Sequence, residues 1–401
     1  MARTAHKYVI VGGGLAGASA IAGIREVDTE GTILLIGGEK HLPYDRPPLT
    51  KKLWFGKQQL AEIALHDKAW YESNGVELLL DTQAKQLDPR RQRLLDSRGG
   101  EHAYQKLLLA TGGAPRALDL PGANVEGVCY YRTVDHYQAI RAVADMGGSA
   151  LVVGAGFIGS ELAAGIHTVG GKVTILLRGA QLVPRAFPEA LGRALLADYE
   201  RRGVVPVPAD ELISVRRMKE ALVARTRKGR ELHADVIVVG IGIAPATELA
   251  RAAGIQVDDG IVVTDCLETS VPGIYSAGDN TCFPYQALGK RMRVEHWDNA
   301  LNQGKYAGWN MAGRRQPYDY MPYFFSDLFE FGYEAVGEID PRLEVIADWQ
   351  KENEKGVIYF LKGRRLRGAM MCNVWDQVPA ARELIRSGRQ LSGDELKGAI
   401  R

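Results

Sequence analysis

The sequence lacks several features that would place it in other classes of protein. Its 401 residues contain only four cysteines, Cys129, Cys266, Cys282 and Cys372, which lie far apart and form no C-x-x-C motif or metal-binding spacing. No metal site is therefore predicted. No apolar run reaches the roughly 18 residues that a membrane span requires, and the first strand begins too close to Met1 to leave room for a signal peptide. The sequence predicts a cytoplasmic enzyme with reduced cysteines and no membrane partner.

A strong charge bias is also missing. Lysine and arginine number 50 against 48 aspartates and glutamates, which gives a formal net charge of +2. That excess is too small to indicate a nucleic-acid partner. Hydrophobic residues make up 46% of the chain, which is enough apolar material for the two or three domains that this length predicts.

The segment Lys7–Arg25 joins an apolar strand at Tyr8–Val11 to a helix at Leu15–Arg25 through a glycine-rich turn. The turn has G-x-G-x-x-G spacing, and its residues are Gly12, Gly13, Gly14, Leu15, Ala16 and Gly17. The three glycines permit a tight bend, close approach of the backbone to a pyrophosphate, and close packing of helix on strand. The next strand, at 32–36, ends near Glu39, whose spacing suits a carboxylate that accepts from a ribose hydroxyl. A dinucleotide is predicted at the helix N-terminus; the alternative is a glycine-rich turn without a ligand.

A second unit of the same kind follows later in the chain. Its strand is predicted at Ala150–Val153 and its helix at Ser160–Thr168. The residues of its turn are Gly154, Gly156, Phe157, Ile158, Gly159 and Ser160. Two such turns indicate two dinucleotide sites. A chain with two sites is expected to move electrons between a tightly held flavin dinucleotide and an exchanging nicotinamide dinucleotide.

The end of the strand after the second turn, Lys172–Leu177, indicates which nicotinamide dinucleotide is bound. A carboxylate at its end would accept from the 2′-hydroxyl of NAD, but the chain continues as Leu177-Arg178-Gly179. Arg178 and Arg185 are instead available for a 2′-phosphate. This pattern favours NADPH or the use of both dinucleotides; the alternative is that Arg178 faces solvent and backbone holds the ribose.

The segment Leu42–Trp54 reads L-P-Y-D-R-P-P-L-T-K-K-L-W. Its three prolines are expected to forbid regular structure, while Arg46 and Lys51 would bring positive charge close to the cofactor. The alternative is a solvated connector that leads into a helix starting near Thr50.

Three later segments are expected to return to the first nucleotide. The strand at 107–109 runs into Ala110, Thr111 and Gly112, whose small side chains let the backbone pass over a bound nucleotide. The strand before Gly278 brings the Asp279 carboxylate to the ligand end of the sheet, where it can hold ribityl hydroxyls. His296 and Trp297 precede a helix predicted at 299–309 and could stack on or hydrogen-bond the flavin, although such a pair alone is more often core packing. The basic run 290–293 could steer an acidic protein partner.

These elements predict an α/β protein with two Rossmann-like dinucleotide-binding domains of the three-layer ββα type and a small C-terminal α+β domain. Short strands between 76 and 107 are expected to form an antiparallel excursion, and a buried strand is predicted at 236–243. The FAD-binding domain is predicted from 1–121 and 246–316, the NAD(P)H-binding domain from 122–245, and the C-terminal domain from 317–401. Its strands are expected at 323–327, 333–339, 356–361 and 368–372, before a helix at 379–386.

Several motifs resemble those of a known family. R-P-P-L-T-K at Arg46–Lys51, A-T-G-G-A-P-R at Ala110–Arg116 and F-S-D at Phe325–Asp327 resemble the FAD-dependent ferredoxin/rubredoxin reductases of the glutathione-reductase structural class. V-E-H-W-D-N-A, G-Y-E-A-V-G and G-V-I-Y-F-L are most similar to the bacterial apoptosis-inducing-factor-like branch. The resemblance implies hydride transfer from NADH or NADPH to flavin N5 and electron transfer to a small iron–sulfur protein of ferredoxin or rubredoxin type.

Two further functions stay open beside this one. The first is an NAD(P)H oxidase or diaphorase without a protein acceptor. The second is a redox sensor with slow turnover and a stable flavin–NAD charge-transfer complex. The oligomeric state is also open, with a homodimer as one alternative.

The resemblance also implies a set of site residues. The predicted FAD contacts beyond the first glycine turn are Glu39, Lys40, Arg46, Lys51, Ala84, Ala110, Thr111, Gly112, Arg132, Asp279, His296, Trp297 and Phe325. The predicted nicotinamide contacts are Gly154, Gly156, Phe157, Ile158, Gly159, Ser160, Glu161, Arg178, Arg185, Gly242, Glu295 and Glu334. Lys51, Glu161 and His296 are the predicted catalytic residues, with Lys51 and Glu161 paired beside flavin N5. The family commonly has tryptophan where this chain has Phe325, so the role of that aromatic is not carried over.

Overall fold

The computed structural model describes residues 3–219 and 221–400. The chain forms two compact units, and each unit is assembled from three separate segments. The first unit comprises Met1–Asp45, Ala61–Ala114 and Ala244–Pro322, and the second comprises Arg46–Leu60, Pro115–Ile243 and Tyr323–Arg401. This division differs from the predicted domains in assigning Arg46–Leu60 to the second unit and in grouping the C-terminal segment with it. The domain boundaries given above stay predictions.

Strands alternate with helices along much of the chain. In chain order the strands are β1 Arg3–Val11, β2 Ile33–Ile36, β3 Val76–Leu79, β4 Ala84–Asp88, β5 Arg93–Asp96, β6 Glu101–Leu109, β7 Gly113–Pro115, β8 Val128–Tyr130, β9 Ser149–Val153, β10 Lys172–Leu176, β11 Val205–Val207, β12 Leu212–Arg217, β13 Leu222–Thr226, β14 Glu231–Ala234, β15 Val236–Val239, β16 Ile243–Pro245, β17 Val257–Asp258, β18 Gly260–Val262, β19 Ile274–Ser276, β20 Thr281–Tyr285, β21 Lys290–Arg293, β22 Tyr323–Leu328, β23 Phe331–Gly337, β24 Glu344–Lys351, β25 Lys355–Lys362 and β26 Arg365–Cys372. The α-helices are α1 Leu15–Arg25, α2 Lys68–Ser73, α3 Val134–Asp145, α4 Phe157–Thr168, α5 Glu189–Arg202, α6 Glu248–Ala252, α7 Trp297–Met311, α8 Val378–Arg386 and α9 Gly393–Leu396. Short 3₁₀ helices lie at Pro47–Thr50, Leu60–Ile63 and Gln286–Leu288.

The first unit is built on a mixed sheet with strand order β3-β2-β1-β6-β5-β4, and β19 lies beside β6. Strands β1, β2, β3, β6 and β19 run parallel, whereas β4 and β5 form the expected antiparallel excursion. The apolar run Tyr8–Val11 is buried throughout, as a parallel strand covered on both faces requires. Because parallel strands end at the same edge of a sheet, the segments that follow β1, β6 and β19 meet there.

Helices α1 and α7 pack closely in the first unit. A Cβ atom built on Gly304 would lie 2.3 Å from the carbonyl oxygen of Ala16, and one on Gly308 would lie 2.2 Å from that of Ala20. These distances leave no room for a side chain. The glycines of α7 therefore let its backbone approach α1 and fix the position of the α7 N-terminus.

The second unit contains three sheets. Strands β11-β10-β9-β15-β8 form a parallel sheet, and β12-β13-β14 form an antiparallel one. The C-terminal segment forms an antiparallel sheet with the order β22-β23-β26-β25-β24. Apolar side chains from the parallel sheet and the β12-β13-β14 sheet share one core, which includes Leu151, Val239 and Leu222.

Several predicted elements differ from the structure. The predicted strand at 236–243 ends at Val239, because Gly240 and Gly242 follow and Gly242 has a φ of +101°. Helix α7 begins two residues earlier than predicted, at Trp297. Strand β24 was missed because its sequence mixes charged and apolar residues and none of its side chains is fully buried. Within the described residues, no helix is both long and apolar enough to cross a membrane.

Candidate functional site

The first glycine turn packs closely against the end of β6 at Gly12 and has open space at Gly14. Gly12 has a φ of +128°, and a Cβ atom there would lie 2.0 Å from the carbonyl oxygen of Ala110. A Cβ atom on Gly14 would meet nothing within 4 Å, and α1 has neither a side-chain cap nor an acidic residue in its first turn. The N–H groups at the start of α1 are therefore left for an external anion. This cradle fits the pyrophosphate of a dinucleotide.

The second glycine turn has the same construction. A Cβ atom on Gly154 would lie 2.5 Å from the carbonyl oxygen of Gly240, and one on Gly159 would lie 2.0 Å from that of Gly154. Gly156 is open, and α4 begins without a side-chain cap. The second unit therefore offers its own anion cradle, and Phe157, Ile158 and Ser160 form the first turn of its helix.

Polar side chains of the first unit gather at the carboxyl edge of its sheet. Glu39 accepts a hydrogen bond from the Tyr44 hydroxyl at 2.6 Å, and the Thr111 hydroxyl donates to the carbonyl oxygen of Ala246 at 2.6 Å. Asn280 donates to Thr111 at 3.0 Å, while its own Oδ1 is buried without a hydrogen-bond partner. Sequence reasoning missed Asn280, although it directly follows the Gly-Asp pair. An orphaned acceptor beside the glycine turn fits a polar ligand.

The start of α7 lies in the same unit. His296 is the N-cap residue of the helix, and Trp297 donates through its indole nitrogen to Asp45 Oδ1 at 2.7 Å. Burial lowers the pKa of His296 to about 4, against the opposing effect of the Asp279 carboxylate. The imidazole is therefore neutral at pH 7 and can donate or accept a hydrogen bond. Asp45 was missed, although it belongs to the P-Y-D-R motif that the sequence displays.

The basic run before α7 is engaged within the protein. Arg291 donates to the carbonyl oxygen of Val263 at 2.7 Å, and Arg293 forms ion pairs with Asp259 and with Glu295. Glu295, a predicted nicotinamide contact, is thus held by the last residue of β21. These contacts hold both arginines in place, and the hypothesis that this run steers an acidic partner stays a prediction.

Two predicted FAD contacts of the first unit lie at its margins. Lys40 is exposed, and Ala84 is the half-buried first residue of β4. Both stay predictions, as does Gly112, whose carbonyl accepts from the N–H of Ala246 at 2.9 Å.

A buried ion pair forms the centre of the second unit's polar cluster. Lys51 Nζ lies 2.8 Å from Glu161 Oε1, and the two residues are only 8% and 3% exposed. The Thr50 hydroxyl donates to Glu161 Oε2 at 2.5 Å, and the Ser326 hydroxyl donates to Oε1 at 2.5 Å. Both oxygens of the carboxylate are thus satisfied, as a buried charge requires. The predicted pairing of Lys51 with Glu161 is present, and the two hydroxyls were missed.

The segment Arg46–Leu60 positions Lys51 through its own packing. Pro47–Thr50 forms a 3₁₀ helix, so the prolines do not exclude regular structure here. The Trp54 indole donates to the carbonyl oxygen of Leu49 at 2.7 Å, and its ring lies against Gly165 of α4. The Tyr131 hydroxyl donates to the same carbonyl oxygen. Residues 48–51, Leu53 and Trp54 are buried, so this part of the segment is not a solvated connector.

Strand β22 brings an aromatic ring to this cluster. Lys51 Nζ lies 5.2 Å from the centroid of the Phe325 ring, within cation–π range. The cross-strand partner of Phe325 is Glu334, whose Oε2 is buried without a hydrogen-bond partner. Burial, and secondarily the Asp376 carboxylate, raises the pKa of Glu334. Glu334 can therefore offer an acceptor or a protonated donor to a neutral polar group such as an amide.

Four other predicted residues of the second unit have defined surroundings. Arg46 donates to the carbonyl oxygen of Arg132 at 2.8 Å, so these two residues are adjacent. The carbonyl oxygen of Gly242 accepts from the N–H of Arg116 at 2.9 Å. Arg185 is exposed on a loop whose Val183 N–H donates to the carbonyl oxygen of Ala155 in the second glycine turn.

Comparison with known proteins gives a consistent result. Residues 6–304 match the pyridine nucleotide-disulphide oxidoreductase family, and residues 307–355 match the C-terminal domain of mitochondrion-associated apoptosis-inducing factor. The ferredoxin–NAD(+) reductase component of the anthranilate 1,2-dioxygenase system of Burkholderia cepacia is 33% identical over 395 residues, which cover 98% of this chain and 97% of that protein. Rubredoxin–NAD(+) reductase of Pseudomonas putida is 31% identical over 359 residues, which cover 89% and 93% of the two chains.

Solved structures and a human relative extend the comparison. The covalent putidaredoxin reductase–putidaredoxin complex matches with a TM-score of 0.90 at 29% identity, covering 97% of this chain and 95% of that chain. Apoptosis-inducing factor 3 of Homo sapiens is 31% identical over 396 residues, which cover 97% of this chain and 64% of that protein.

The chain belongs to the pyridine nucleotide-disulphide oxidoreductase family. It is an oxidoreductase that acts with FAD as cofactor and NAD(H) as substrate. The predicted α/β fold class and the resemblance to ferredoxin/rubredoxin reductases and apoptosis-inducing-factor-like proteins are confirmed. The individual site residues stay predictions, which the two glycine cradles and the Lys51–Glu161 pair support.

Proposed function

We propose that this protein is a reductase that passes electrons from NADH to a small iron–sulfur carrier of ferredoxin or rubredoxin type. The observation that carries this proposal is the buried Lys51–Glu161 pair, whose carboxylate accepts from two hydroxyl groups and which Phe325 flanks. Relatives that share this fold along almost their whole length are named as ferredoxin and rubredoxin reductases.

The proposed roles of the residues follow from their environments. When bound, FAD accepts a hydride at N5 from nicotinamide C4 and releases electrons one at a time, which couples a two-electron donor to a one-electron carrier. Lys51 supplies a positive charge whose position is fixed by Glu161, and such a preorganised charge stabilises negative charge that develops beside it. His296, neutral at pH 7, supplies a hydrogen bond rather than a charge.

The cysteines support electron transfer without a protein dithiol. Within the described residues, the thiols of Cys129, Cys266, Cys282 and Cys372 are all free. Burial raises the pKa of each thiol, that of Cys129 to about 11. None of them is therefore an activated thiolate at neutral pH. Four reduced cysteines also support the proposal that the enzyme works in the cytoplasm.

Anaerobic stopped-flow reduction of the purified yellow protein tests the proposal. We expect rapid bleaching of the flavin band by NADH, followed by cytochrome c reduction that requires an added ferredoxin or rubredoxin. Lys51→Ala should slow the first step, whereas the neighbouring Lys52→Ala, an exposed lysine, should not. Rapid bleaching with no response to any added iron–sulfur protein would reject the proposed acceptor. The mass of the purified protein by sedimentation decides whether it is a homodimer.

A second function is favoured by the match of residues 307–355 to the C-terminal domain of apoptosis-inducing factor. In that case the protein is a redox sensor with slow oxidase or diaphorase turnover. The same experiment separates the two functions. Slow reduction, followed by a long-wavelength band that persists in air, supports the sensor and contradicts the reductase.

A further inference from the structure

The residue at the end of β10 bears on whether the protein prefers NADH or NADPH. In folds of this kind, a residue about 20 positions after the glycine turn contacts the 2′-position of the adenosine ribose. Arg178 stands at that place, and an arginine there would select for the 2′-phosphate of NADPH. The sequence shows no carboxylate next to it.

The structure brings a carboxylate to Arg178 from a distant part of the chain. Arg178 Nη2 lies 2.7 Å from Glu211 Oε1. The other oxygen of Glu211, Oε2, lies 2.7 Å from Arg227 Nη2 and accepts from Arg227 Nε at 2.9 Å. Glu211 thus stands between two guanidinium groups, in the position that an oxyanion such as a phosphate would take between them.

An exposed ion pair alone would be weak, because the Arg178 side chain is 77% exposed. Glu211, however, is held independently of Arg178. Its side chain is only 29% exposed and is bound by Arg227, and its carbonyl oxygen accepts from the Arg227 N–H at 2.8 Å. The carboxylate is therefore already in place when Arg178 meets it, and the entropy cost of ordering falls on one side chain.

Backbone hydrogen bonds fix the loop that carries Glu211. The N–H of Ala209 donates to the carbonyl oxygen of Gly179 at 2.9 Å, and that of Asp210 donates to Leu177 at 3.0 Å. The Asp210 carboxylate accepts from the N–H groups of Glu211 at 2.8 Å and Lys228 at 3.1 Å. The loop is thus joined to the end of β10 on one side and to the β13–β14 turn on the other. These contacts hold the backbone of Glu211 in place relative to the end of β10.

We propose that Glu211 sets the preference of this enzyme for NADH over NADPH by occupying Arg178 and opposing a 2′-phosphate. The inference rests on the proposed function, because it concerns the dinucleotide that the same reductase oxidises. It also replaces the expectation that Arg178 favours NADPH. A repulsive carboxylate gives specificity by penalising the wrong ligand, while the contacts to the right one stay unchanged.

Binding of two small probes to the FAD-containing protein tests the inference without turnover. Adenosine 5′-monophosphate and adenosine 2′,5′-bisphosphate differ only in the 2′-phosphate, and isothermal titration calorimetry measures the Kd of each. Wild type should bind the bisphosphate no more tightly than the monophosphate. Glu211→Gln should tighten bisphosphate binding by about tenfold or more, because Arg178 gains a phosphate as its charge-assisted partner. Monophosphate binding should change less than about twofold, because the monophosphate has no 2′-phosphate for Arg178 to bind.

A double-mutant cycle tests whether the tighter bisphosphate binding of Glu211→Gln depends on Arg178. Arg178→Gln alone should leave both Kd values unchanged, while the combination with Glu211→Gln should cancel the tighter binding. Glu354→Gln, which likewise removes one negative charge, here from a pair with Lys351 in the C-terminal sheet, controls for net charge. Steady-state kcat/KM for NADPH relative to NADH should rise in Glu211→Gln in parallel with the binding ratio.

Two results would overturn the inference. One is a wild-type protein that already binds the bisphosphate more tightly, which needs no variant to be observed. The other is a Glu211→Gln protein whose two Kd values match those of wild type. Failure of the proposed function gives a different result, because slow flavin reduction, or reduction without electron transfer to an added iron–sulfur protein, would leave the two Kd values unchanged.

Discussion

Two hydroxyl groups donate to Glu161, and the loss of each should lower the stability of the protein by a different amount. Thr50→Val and Ser326→Ala each remove one donor from the same buried carboxylate. After Ser326→Ala, Oε1 retains Lys51 Nζ at 2.8 Å. After Thr50→Val, Oε2 keeps none of the partners found among the described residues. The valine variant should therefore be the less stable of the two.

Magnitudes follow from the charge of the acceptor. A hydrogen bond to a charged group contributes about 1.5–3 kcal/mol, and leaving a buried acceptor unsatisfied adds its desolvation cost. We expect Ser326→Ala to lower the free energy of unfolding by about 1.5 kcal/mol and Thr50→Val by about 3 kcal/mol. Thr168→Val is the control for losing a hydroxyl at a more exposed position, because the Thr168 hydroxyl donates to the neutral carbonyl oxygen of Ala164 at 2.9 Å. Its cost should not exceed about 1 kcal/mol.

Urea unfolding followed by far-UV circular dichroism and by flavin fluorescence provides the measurement. The two probes report whether unfolding is cooperative, which a two-unit protein need not satisfy. The order Thr50→Val, Ser326→Ala, Thr168→Val, from least to most stable, is the expected result. Equal costs for the first two variants would show that the carboxylate is not held as the distances indicate.

Three further predictions concern single positions. Lys51→Ala should slow reduction of the flavin by roughly 10²-fold, measured by stopped flow, and unchanged rates would remove this charge from the mechanism. Gly12→Ala should yield colourless protein, because its Cβ would lie 2.0 Å from the Ala110 carbonyl oxygen; a normal ratio of flavin to protein absorbance would contradict this. Because the pKa of His296 is about 4 when folded and about 6.5 when unfolded, the unfolded chain binds the extra proton. Stability should fall as the pH drops from about 6.5 to 4, and His296→Gln should flatten that slope in urea midpoints, whereas parallel slopes would argue against it.

The local parts of the fold could be predicted from the sequence because their signals are local. The strand, glycine turn and helix at Tyr8–Arg25 follow from a run of apolar residues, three spaced glycines and small helical side chains, and α1 begins and ends where predicted. The second turn is equally clear. The antiparallel excursion and most C-terminal strands were also found, since alternation marks them.

Contacts between distant segments could not be predicted in this way. Thr50 and Ser326 lie 111 and 165 residues from Glu161, and no spacing rule relates them. The sequence indicated them only as hydroxyl residues within the motifs R-P-P-L-T-K and F-S-D. Glu211 was missed for the same reason, because it lies far along the chain from the end of β10, where a carboxylate would be expected. Burial of Leu49 and Trp54 was missed because proline and charge in a sequence suggest exposure.

The discontinuous make-up of the second unit has a consequence for how the protein is synthesised. Ribosomes add about 5–20 residues per second, so Ser326 is joined to the chain roughly 10–30 s after Glu161, which lies 165 residues upstream. Until then the second unit lacks its last segment, and the carboxylate lacks one of its two hydroxyl donors. A prematurely terminated chain can complete the first glycine cradle yet cannot assemble the Glu161 cluster. Translation of the C-terminal sheet is thus the step that completes the Glu161 cluster.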